Sequence, residues 1–364
     1  MKLNEILGAF EQYAPFRLQE EYDNSGIQFG DPEGEITRGL VCIDITEEII
    51  NEAIEKECDL IISHHPLIFK GIKKLTGKHY TERVLIEAVR NNISIISVHT
   101  NLDSVSDGVN MKLATKIGLS ELKVLQPRKG LLKKLITFCP TDHAEKVRAA
   151  IFKAGAGVIG EYDCCSFNLD GKGSFRAGDN TDPFIGEKGQ IHYEPEVRIE
   201  TILPAWLETM VVRAMIDAHP YEEVAFDIYP LDNSNANVGP GMVGILKNPL
   251  SEKDFLRMIK EELGLPFLKH SEFTGNEVRK VAVCGGSGSF LRDLAMASGA
   301  DAFVTADVKY HDFFDVKNKI LMVDAGHYES EQFTKEILYE IVSKKFTNFA
   351  LLISDQSTNP VRYF

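Results

Sequence analysis

Residues 59–69 read DLIISHHPLIF, an apolar run that ends in a serine and two adjacent histidines. A strand that is apolar on both faces is typical of the core of a parallel sheet. Polar side chains at such a position are costly unless they have partners. The role of His64 and His65 therefore depends on which other polar residues the fold brings beside them.

This stretch belongs to a regular alternation of strands and helices. It follows a buried strand, GLVCIDIT (39–46), and an acidic helix, EEIINEAIEKE (47–57). It precedes a helix, TERVLIEAVRNN (81–92), and a strand, ISIISV (93–98). Alternation at this spacing predicts βαβ units around a mostly parallel sheet.

The same alternation returns after about residue 240, with strands KVAVCGG (280–286), ADAFVTAD (300–307) and NKILMVDAG (318–326). The middle of the chain differs, because its predicted order is β-α-β-β-α-β, the ferredoxin-like arrangement. A glycine-rich loop at 171–189 is too long for a hairpin turn and is expected to contribute to a surface or an interface.

The fold class predicted from this pattern is α/β. Two pseudo-repeated halves, 1–128 and 237–364, form one domain, and a ferredoxin-like α+β domain, 129–236, is inserted between them.

Composition limits the classes of function. A formal charge of −14 over 364 residues disfavours a broad nucleic-acid surface, which needs clustered Lys and Arg. No apolar stretch approaches the ~20 residues that span a bilayer, and residues 1–15 do not resemble a signal peptide, so no membrane partner and a cytoplasmic location are expected. The 6 cysteines contain no CxxC pair, which favours small buried side chains over zinc or redox roles.

The two outer halves share a second feature. The segment DLIISHHPLIF has a counterpart in the second half that begins with ADAFVTAD (300–307). In each half, the next strand leads to a histidine with an acid four residues later: HTNLD (99–103) and HYESE (327–331). Ligands and reacting groups collect at the carboxyl ends of strands in α/β sheets. If the halves pack about a pseudo-twofold axis, His64, His65 and these two turns share one pocket.

That mixture of side chains favours a metal. Imidazole and carboxylate suit zinc, manganese, iron, cobalt or nickel. Adjacent histidines chelate one ion poorly, but each can bind one of two neighbouring ions. In hydrolytic two-metal sites the ions lie ~3.5–4 Å apart, a separation that a carboxylate can bridge. His99 is the weakest candidate ligand, because it could instead hold a ligand or move a proton.

A glycine turn, GGSGSF (285–290), follows a strand and opens a helix, so its amides could bind phosphate. It lacks the full dinucleotide and P-loop patterns, and a tight turn that packs helix on strand is the simpler interpretation.

Together the segments DLIISHHPLIF, SVHTNLD, TADVKYHD and DAGHYESE resemble the signatures of the GTP cyclohydrolase type 2 homologues, also called Ngg-interacting-factor-three-like proteins. The middle segment resembles the insert of the longer bacterial members, which is similar to nitrogen-regulatory (PII) and copper-tolerance proteins. This resemblance implies a dinuclear metal site, a toroidal homohexamer whose metal sites face an internal cavity, and the ligands His64, His65, Asp103, His327 and Glu331, with Glu331 as the bridge.

Two hypotheses follow. The first is a metal-dependent hydrolase, a GTP cyclohydrolase that opens the guanine ring and releases formate, in which Glu331 or His99 moves protons. A nucleotide or another phosphorylated small molecule would be its partner, held by basic residues near the mouth of the site, with Lys70, Lys73, Lys74 and Lys309 as candidates. The alternative is a non-catalytic regulatory or scaffold hexamer with structural metals and an insert that senses a small molecule.

Overall fold

The computed structural model describes residues 1–362, which form two compact units. The larger unit contains Met1–Pro127 and the chain from Asn237 onward, and the smaller contains Arg128–Ala236. Within residues 1–362, no helix has both the length and the apolar character needed to cross a membrane.

The larger unit begins with the following elements: α1 (Leu3–Tyr13), β1 (Gly26–Phe29), β2 (Arg38–Cys42), α2 (Glu47–Glu55), β3 (Leu60–Ser63), α3 (Tyr80–Arg90), β4 (Ser94–Ser97), α4 (Thr100–Ser104), α5 (Val109–Lys116) and β5 (Leu119–Val124). The smaller unit contains β6 (Leu132–Pro140), α6 (Ala144–Lys153), β7 (Ser166–Arg176), β8 (Ile191–Pro204), α7 (Glu208–Ala218) and β9 (Phe226–Leu231). The larger unit then continues with β10 (Met242–Ser251), α8 (Glu252–Glu262), β11 (Lys269–His270), β12 (Glu277–Ser287), α9 (Arg292–Ala297), β13 (Ala302–Ala306), α10 (Asp312–Asp315), β14 (Leu321–Asp324), α11 (His327–Glu331), α12 (Thr334–Lys345) and β15 (Ala350–Ile353).

Two sheets form the larger unit, and the predicted α/β class is confirmed. The first has the order β1-β4-β3-β2-β15 and is parallel except for β1. The second has the order β11-β14-β13-β12-β10-β5, with β12, β13 and β14 parallel. The two parts of the chain exchange strands, because β5 pairs in the second sheet and β15 in the first.

Local sequence explains how the central strands and helices of the first sheet form. Thr46 caps α2, since its side chain accepts a hydrogen bond from the Ile49 amide at 3.4 Å. Ile49 and Ala53 on α2 pack with Ile61 of β3 in one buried cluster. All four residues of β3 are buried, so the chain emerges from the sheet only after Ser63. The adjacent histidines therefore lie at the carboxyl edge of the parallel strands.

The smaller unit is a four-stranded antiparallel sheet of order β7-β8-β6-β9 with α6 and α7 packed on one face. Its element order and strand order are ferredoxin-like. The expected loop at 171–189 is shorter in the structure, because β7 continues through Arg176 and includes Gly171 and Gly173. Strand pairing with β8 along the whole of β7 holds these glycines extended.

Candidate metal centre

The structure brings all six predicted site residues of the larger unit into one cluster. His64 and His65 follow β3, His99 precedes α4, and Asp103 lies on α4. His327 and Glu331 are the first and last residues of α11, one helical turn apart. The parallel strands β3, β4 and β14 thus deliver these side chains from their carboxyl ends, as expected for α/β sheets.

Glu331 belongs to two groups of candidate ligands, one with His65 and His327 and the other with His64 and Asp103. Its Oε2 lies 3.1 Å from His65 Nε2 and 3.1 Å from His327 Nε2. Its Oε1 lies 4.0 Å from His64 Nε2, which is 3.7 Å from Asp103 Oδ1. The ligand-type atoms of each group lie within 4.8 Å of one another, so each group could hold a metal ion.

The histidine rings are oriented by hydrogen bonds at Nδ1. His64 Nδ1–H donates to the Val98 carbonyl at 2.9 Å, since a carbonyl oxygen can only accept. His65 Nδ1–H donates to Asp44 at 2.7 Å, and His327 Nδ1–H donates to Asp307 at 2.7 Å. With Nδ1–H used in this way, the Nε2 atom of each ring can act as a metal donor once any proton on it is released, the arrangement found in metal-ligating histidines.

Two buried atoms of the cluster lack a hydrogen-bond partner within the described residues: His64 Nε2 and Asp103 Oδ1. Leaving two buried polar atoms unpaired costs stability. A divalent cation between them would satisfy both. The donor set therefore fits a metal of the borderline class that binds imidazole and carboxylate.

Burial and neighbouring charges shift the pKa values of the side chains in the cluster. Burial lowers the pKa of His64 to about 3, so this ring is neutral. Burial alone would also lower the pKa of His65, but hydrogen bonds with Asp44 and Glu331 raise it to about 10. For Asp103, burial and then the charge of Glu331 raise the pKa well above its usual range. A bound cation would supply the positive charge that protons otherwise provide here.

His99 has a separate support. Its Nδ1–H donates to Asp23 at 2.7 Å, and its amide donates to Ser25 Oγ at 3.1 Å. The ring centroid lies 5.2 Å from that of His64 and 5.2 Å from that of His65. The structure places His99 beside the histidine pair with Nε2 available, a position suited to ligation or to proton transfer.

The GGSGSF turn is structural. The amides of Gly285, Gly286 and Gly288 donate to Asn110 Oδ1, Ser330 Oγ and Thr305 Oγ1, at 3.0 Å in each case. Amides already used inside the protein are not offered to a phosphate. A Cβ on Gly286 would lie 2.2 Å from Glu331 Oε1, so this glycine also makes room for the central carboxylate.

A cavity of ≈ 770 Å³ opens from the cluster, with Asp44, His65, His99, Asp307 and His327 in its wall. Its apolar wall includes Phe69 and Phe267, and its basic residue is Lys269, which forms an ion pair with Asp324 at 2.6 Å. A neighbouring cavity of ≈ 740 Å³ shares Pro66 and Phe69 and contains Lys70, Lys73 and Lys74. Lys309 lines neither cavity.

Sequence reasoning missed the carboxylates that orient the rings: Asp23, Asp44 and Asp307. Asp44 follows β2 and Asp307 follows β13, so the strand-end rule that selected the histidines also applied to them. Thr358 was missed as well, and its hydroxyl donates to Asp44 Oδ2 at 2.8 Å. No local pattern marks that residue.

The remaining histidines lie outside the two groups around Glu331. His311 is exposed and packs its ring edge-on against Tyr310. The other five lie at the surface or pack away from the cluster: His79, His143, His192, His219 and His270.

Fold and site together define an α/β protein with a candidate metal centre built from histidine and carboxylate at the ends of parallel strands. The family described as Duf34/NIF3 (NGG1p interacting factor 3) matches residues 1–360. The chain belongs to this family, which confirms the resemblance seen in its motifs.

Relatives in the family are similar along the whole chain. A Bacillus subtilis protein named GTP cyclohydrolase 1 type 2 homolog is 40% identical over 369 residues, covering 99% of this chain and 98% of that protein. A protein of the same name from Halalkalibacterium halodurans is 36% identical, covering 98% of each. The crystal structure of a Bacillus cereus protein related to NIF3 has a TM-score of 0.89 and 37% identity, and the match covers 100% of this chain and 99% of that one.

Proposed function

We propose that the protein is a metal-dependent hydrolase with a dinuclear centre. The ligands in this proposal are His64, His65, Asp103, His327 and Glu331. The observation that carries it is the position of Glu331, with one carboxylate oxygen toward each of the two ligand groups. A carboxylate placed in this way bridges two ions in hydrolytic sites.

Two divalent ions held there would lower the pKa of water toward neutrality and stabilise developing negative charge. The protein's own groups would orient the substrate and move protons. His99, held by Asp23, would accept the proton of the attacking water through Nε2, because Nδ1 is already engaged. Glu331 would serve as a bridging ligand and could share this transfer. Asp44 and Asp307 would fix the rings of His65 and His327.

We propose GTP as the substrate to test first. Water would attack carbon 8 of the guanine ring, and a second hydration would release that carbon as formate. The relatives' name and the surroundings of the site support this choice. Phe69 and Phe267 offer apolar surface for a planar base, and Lys70, Lys73 and Lys74 stand in the neighbouring cavity for the phosphates.

Formate release from GTP tests the proposal, using purified protein loaded in turn with zinc, iron, manganese, cobalt and nickel. Glu331→Gln is the decisive variant, because it keeps the shape of the side chain and removes the bridging charge. Glu261→Gln is the control, since Glu261 is exposed on α8 and lies in neither the ligand groups nor the cavity wall. We expect metal-dependent formate from the wild type and the control, and none from Glu331→Gln.

No formate from wild-type protein that carries two ions per chain would reject GTP cyclohydrolase activity. Formate that persists in metal-loaded Glu331→Gln would reject the role of Glu331. Circular dichroism of both variants checks that each is folded.

We also propose that the chain assembles as a homohexamer and that residues 129–236 are an inserted domain. The family resemblance supports both, and the compact unit Arg128–Ala236 supports the second. Sedimentation equilibrium gives the number of chains in the assembly. A monomer at micromolar concentration would exclude the hexamer.

A further inference from the structure

The smaller unit contains a cavity that the candidate metal centre does not use. It has a volume of ≈ 660 Å³, within the range of small-molecule sites. All of its lining residues lie between Phe138 and Ala225, so the cavity belongs to this unit alone. It is lined by side chains from three strands and two connecting segments.

The floor of the cavity is the face of the sheet that carries no helix. Leu135 and Val197 point to the helix side, where they join the core with α6 and α7. Side chains alternate along a strand, so Phe138 and Arg198, which are paired in register, point to the open side. On β7 the register places Leu169 opposite Arg198.

Glycines keep this floor clear. Gly171 is paired with Glu196 and lies two residues after Leu169, so both face the open side. A Cβ on Gly171 would meet only the Glu196 carbonyl oxygen, at 3.8 Å, which leaves the space above it empty. A Cβ on Gly173 would lie 2.1 Å from Glu196 Oε2, so this second glycine gives the carboxylate its position.

Aromatic rings form the wall. Phe175 lies 6.0 Å from Tyr221 between ring centroids, and Phe184 lies 6.2 Å from Tyr221. The connection that carries Phe184 is attached to the unit, because the Asp182 amide donates to Glu222 Oε1 at 3.0 Å. This arrangement gives a planar molecule apolar faces on which to pack.

Two polar side chains on the floor, Arg198 and Glu196, have hydrogen-bonding capacity that the described residues do not fully use. Arg198 Nη2 forms an ion pair with Glu200 at 2.8 Å, but its Nε is buried and has no hydrogen-bond partner within the described residues. Glu196 Oε1 accepts from the Tyr221 hydroxyl at 2.9 Å, and its Oε2 lies toward Gly173. Arg198 and Glu196, two residues apart on one strand, therefore both line the same cavity.

We propose that this cavity binds a planar heteroaromatic molecule of nucleobase size, whose edge offers both a hydrogen-bond acceptor and an N–H donor. The rings of Phe175, Phe184 and Tyr221 pack against its faces. The Arg198 guanidinium, on a partly exposed side chain, donates to the acceptor, and Glu196 accepts from the N–H group. A site built to pair both groups discriminates against an apolar ring of the same size, because that ring would leave the buried polar atoms unpaired.

Binding of 2-aminopurine to the full-length protein, followed by its fluorescence, tests the proposal. EDTA is present throughout, so that the candidate metal centre holds no ion. We expect a Kd of about 1 mM or tighter, displacement by adenine, and at least ~10-fold weaker displacement by indole. Absence of 2-aminopurine binding would not argue against the proposed hydrolase activity, because the two cavities share no lining residue.

Gly171→Val fills the floor and is compatible with a strand, since it adds a β-branched side chain where the backbone is extended. We expect it to weaken binding at least ~10-fold, equivalent to ~1.4 kcal/mol. Asn168→Val is the matched control: it adds the same side chain to the same strand but on the helix side, opposite Ile199. Arg198→Gln should weaken 2-aminopurine several-fold and leave indole unchanged, because indole has an N–H donor but no acceptor, whereas Glu196→Gln should weaken both.

Three results would overturn the proposal. The first is absence of 2-aminopurine binding by the wild type up to several millimolar. The second is equal binding by wild type and Gly171→Val, which would locate the ligand elsewhere. The third is self-association in sedimentation that Gly171→Val abolishes and 2-aminopurine does not affect, which would assign the cavity to a second copy of the chain.

Discussion

The cavity at the candidate metal centre and the cavity of the smaller unit are similar in size but are built on different parts of a sheet. The cavity at the candidate metal centre measures ≈ 770 Å³ and is reached by charged and imidazole groups from the ends of parallel strands. The cavity of the smaller unit measures ≈ 660 Å³ and lies on the flat face of an antiparallel sheet, under aromatic rings. Strand ends concentrate polar groups because the apolar run stops there, whereas a sheet face presents alternate residues along its whole length. The backbone that supports a cavity therefore decides which ligands it can attract.

Removal of metal should have the largest effect and should distinguish the two units most clearly. A chelator should destabilise only the larger unit, because the ligand groups lie only there among the described residues. An ion present at 100 times its Kd stabilises the folded state by ~2.7 kcal/mol, and this is lost with the ion. Hydrogen exchange followed by mass spectrometry should show faster exchange at α4 and α11 and no change in β6 to β9. Equal acceleration in both units would contradict the assignment.

His65→Ala should have the next largest effect. It removes one of the side chains in contact with Glu331 and is expected to lower the bound metal to half or less. Elemental analysis of the purified protein measures the metal per chain. His79→Ala is the control, since His79 precedes α3 and is exposed. Full occupancy in His65→Ala would exclude it as a ligand.

Asp44→Asn tests the role of the carboxylates that hydrogen-bond to the candidate histidine ligands. The amide can accept from His65 Nδ1–H but lacks the charge that orients the ring and makes it more basic. Loss of such a partner lowers metal affinity ~10–100-fold. Competition with a chromophoric chelator gives the affinity, and the exposed Asp31→Asn provides the baseline. Unchanged affinity would mean that the backbone alone positions the ring.

Thr358→Val should have the smallest effect. It removes one hydrogen bond to Asp44 while keeping the shape of the side chain. One such bond contributes ~1 kcal/mol, so metal affinity should fall about five-fold. The same competition assay applies. A change as large as that of Asp44→Asn would show that the chain around Thr358 also holds the site together.

The sequence predicted the α/β class and the neighbourhood of the six site residues, because both depend on local patterns. Apolar runs such as Leu60–Ser63 define buried strands, and the polar residues that follow them must lie at one edge. The exchange of β5 and β15 between the sheets could not be predicted, since strand partners distant in sequence leave no local signal. β7 was predicted too short, because glycine has low strand propensity wherever the surroundings do not require it.

The exchange of strands also has a consequence for synthesis of the chain. The first sheet receives β15, residues 350–353, only after all of the other described strands have been made. His65 and Glu331 are 266 residues apart, so a ribosome-bound chain carries the first histidines long before their partner carboxylate. The two ligand groups that contain Glu331 thus form only in chains translated beyond that residue, whereas His64, His65 and His99 are present much earlier. Two ions per chain, rather than one, would therefore require that translation has passed Glu331.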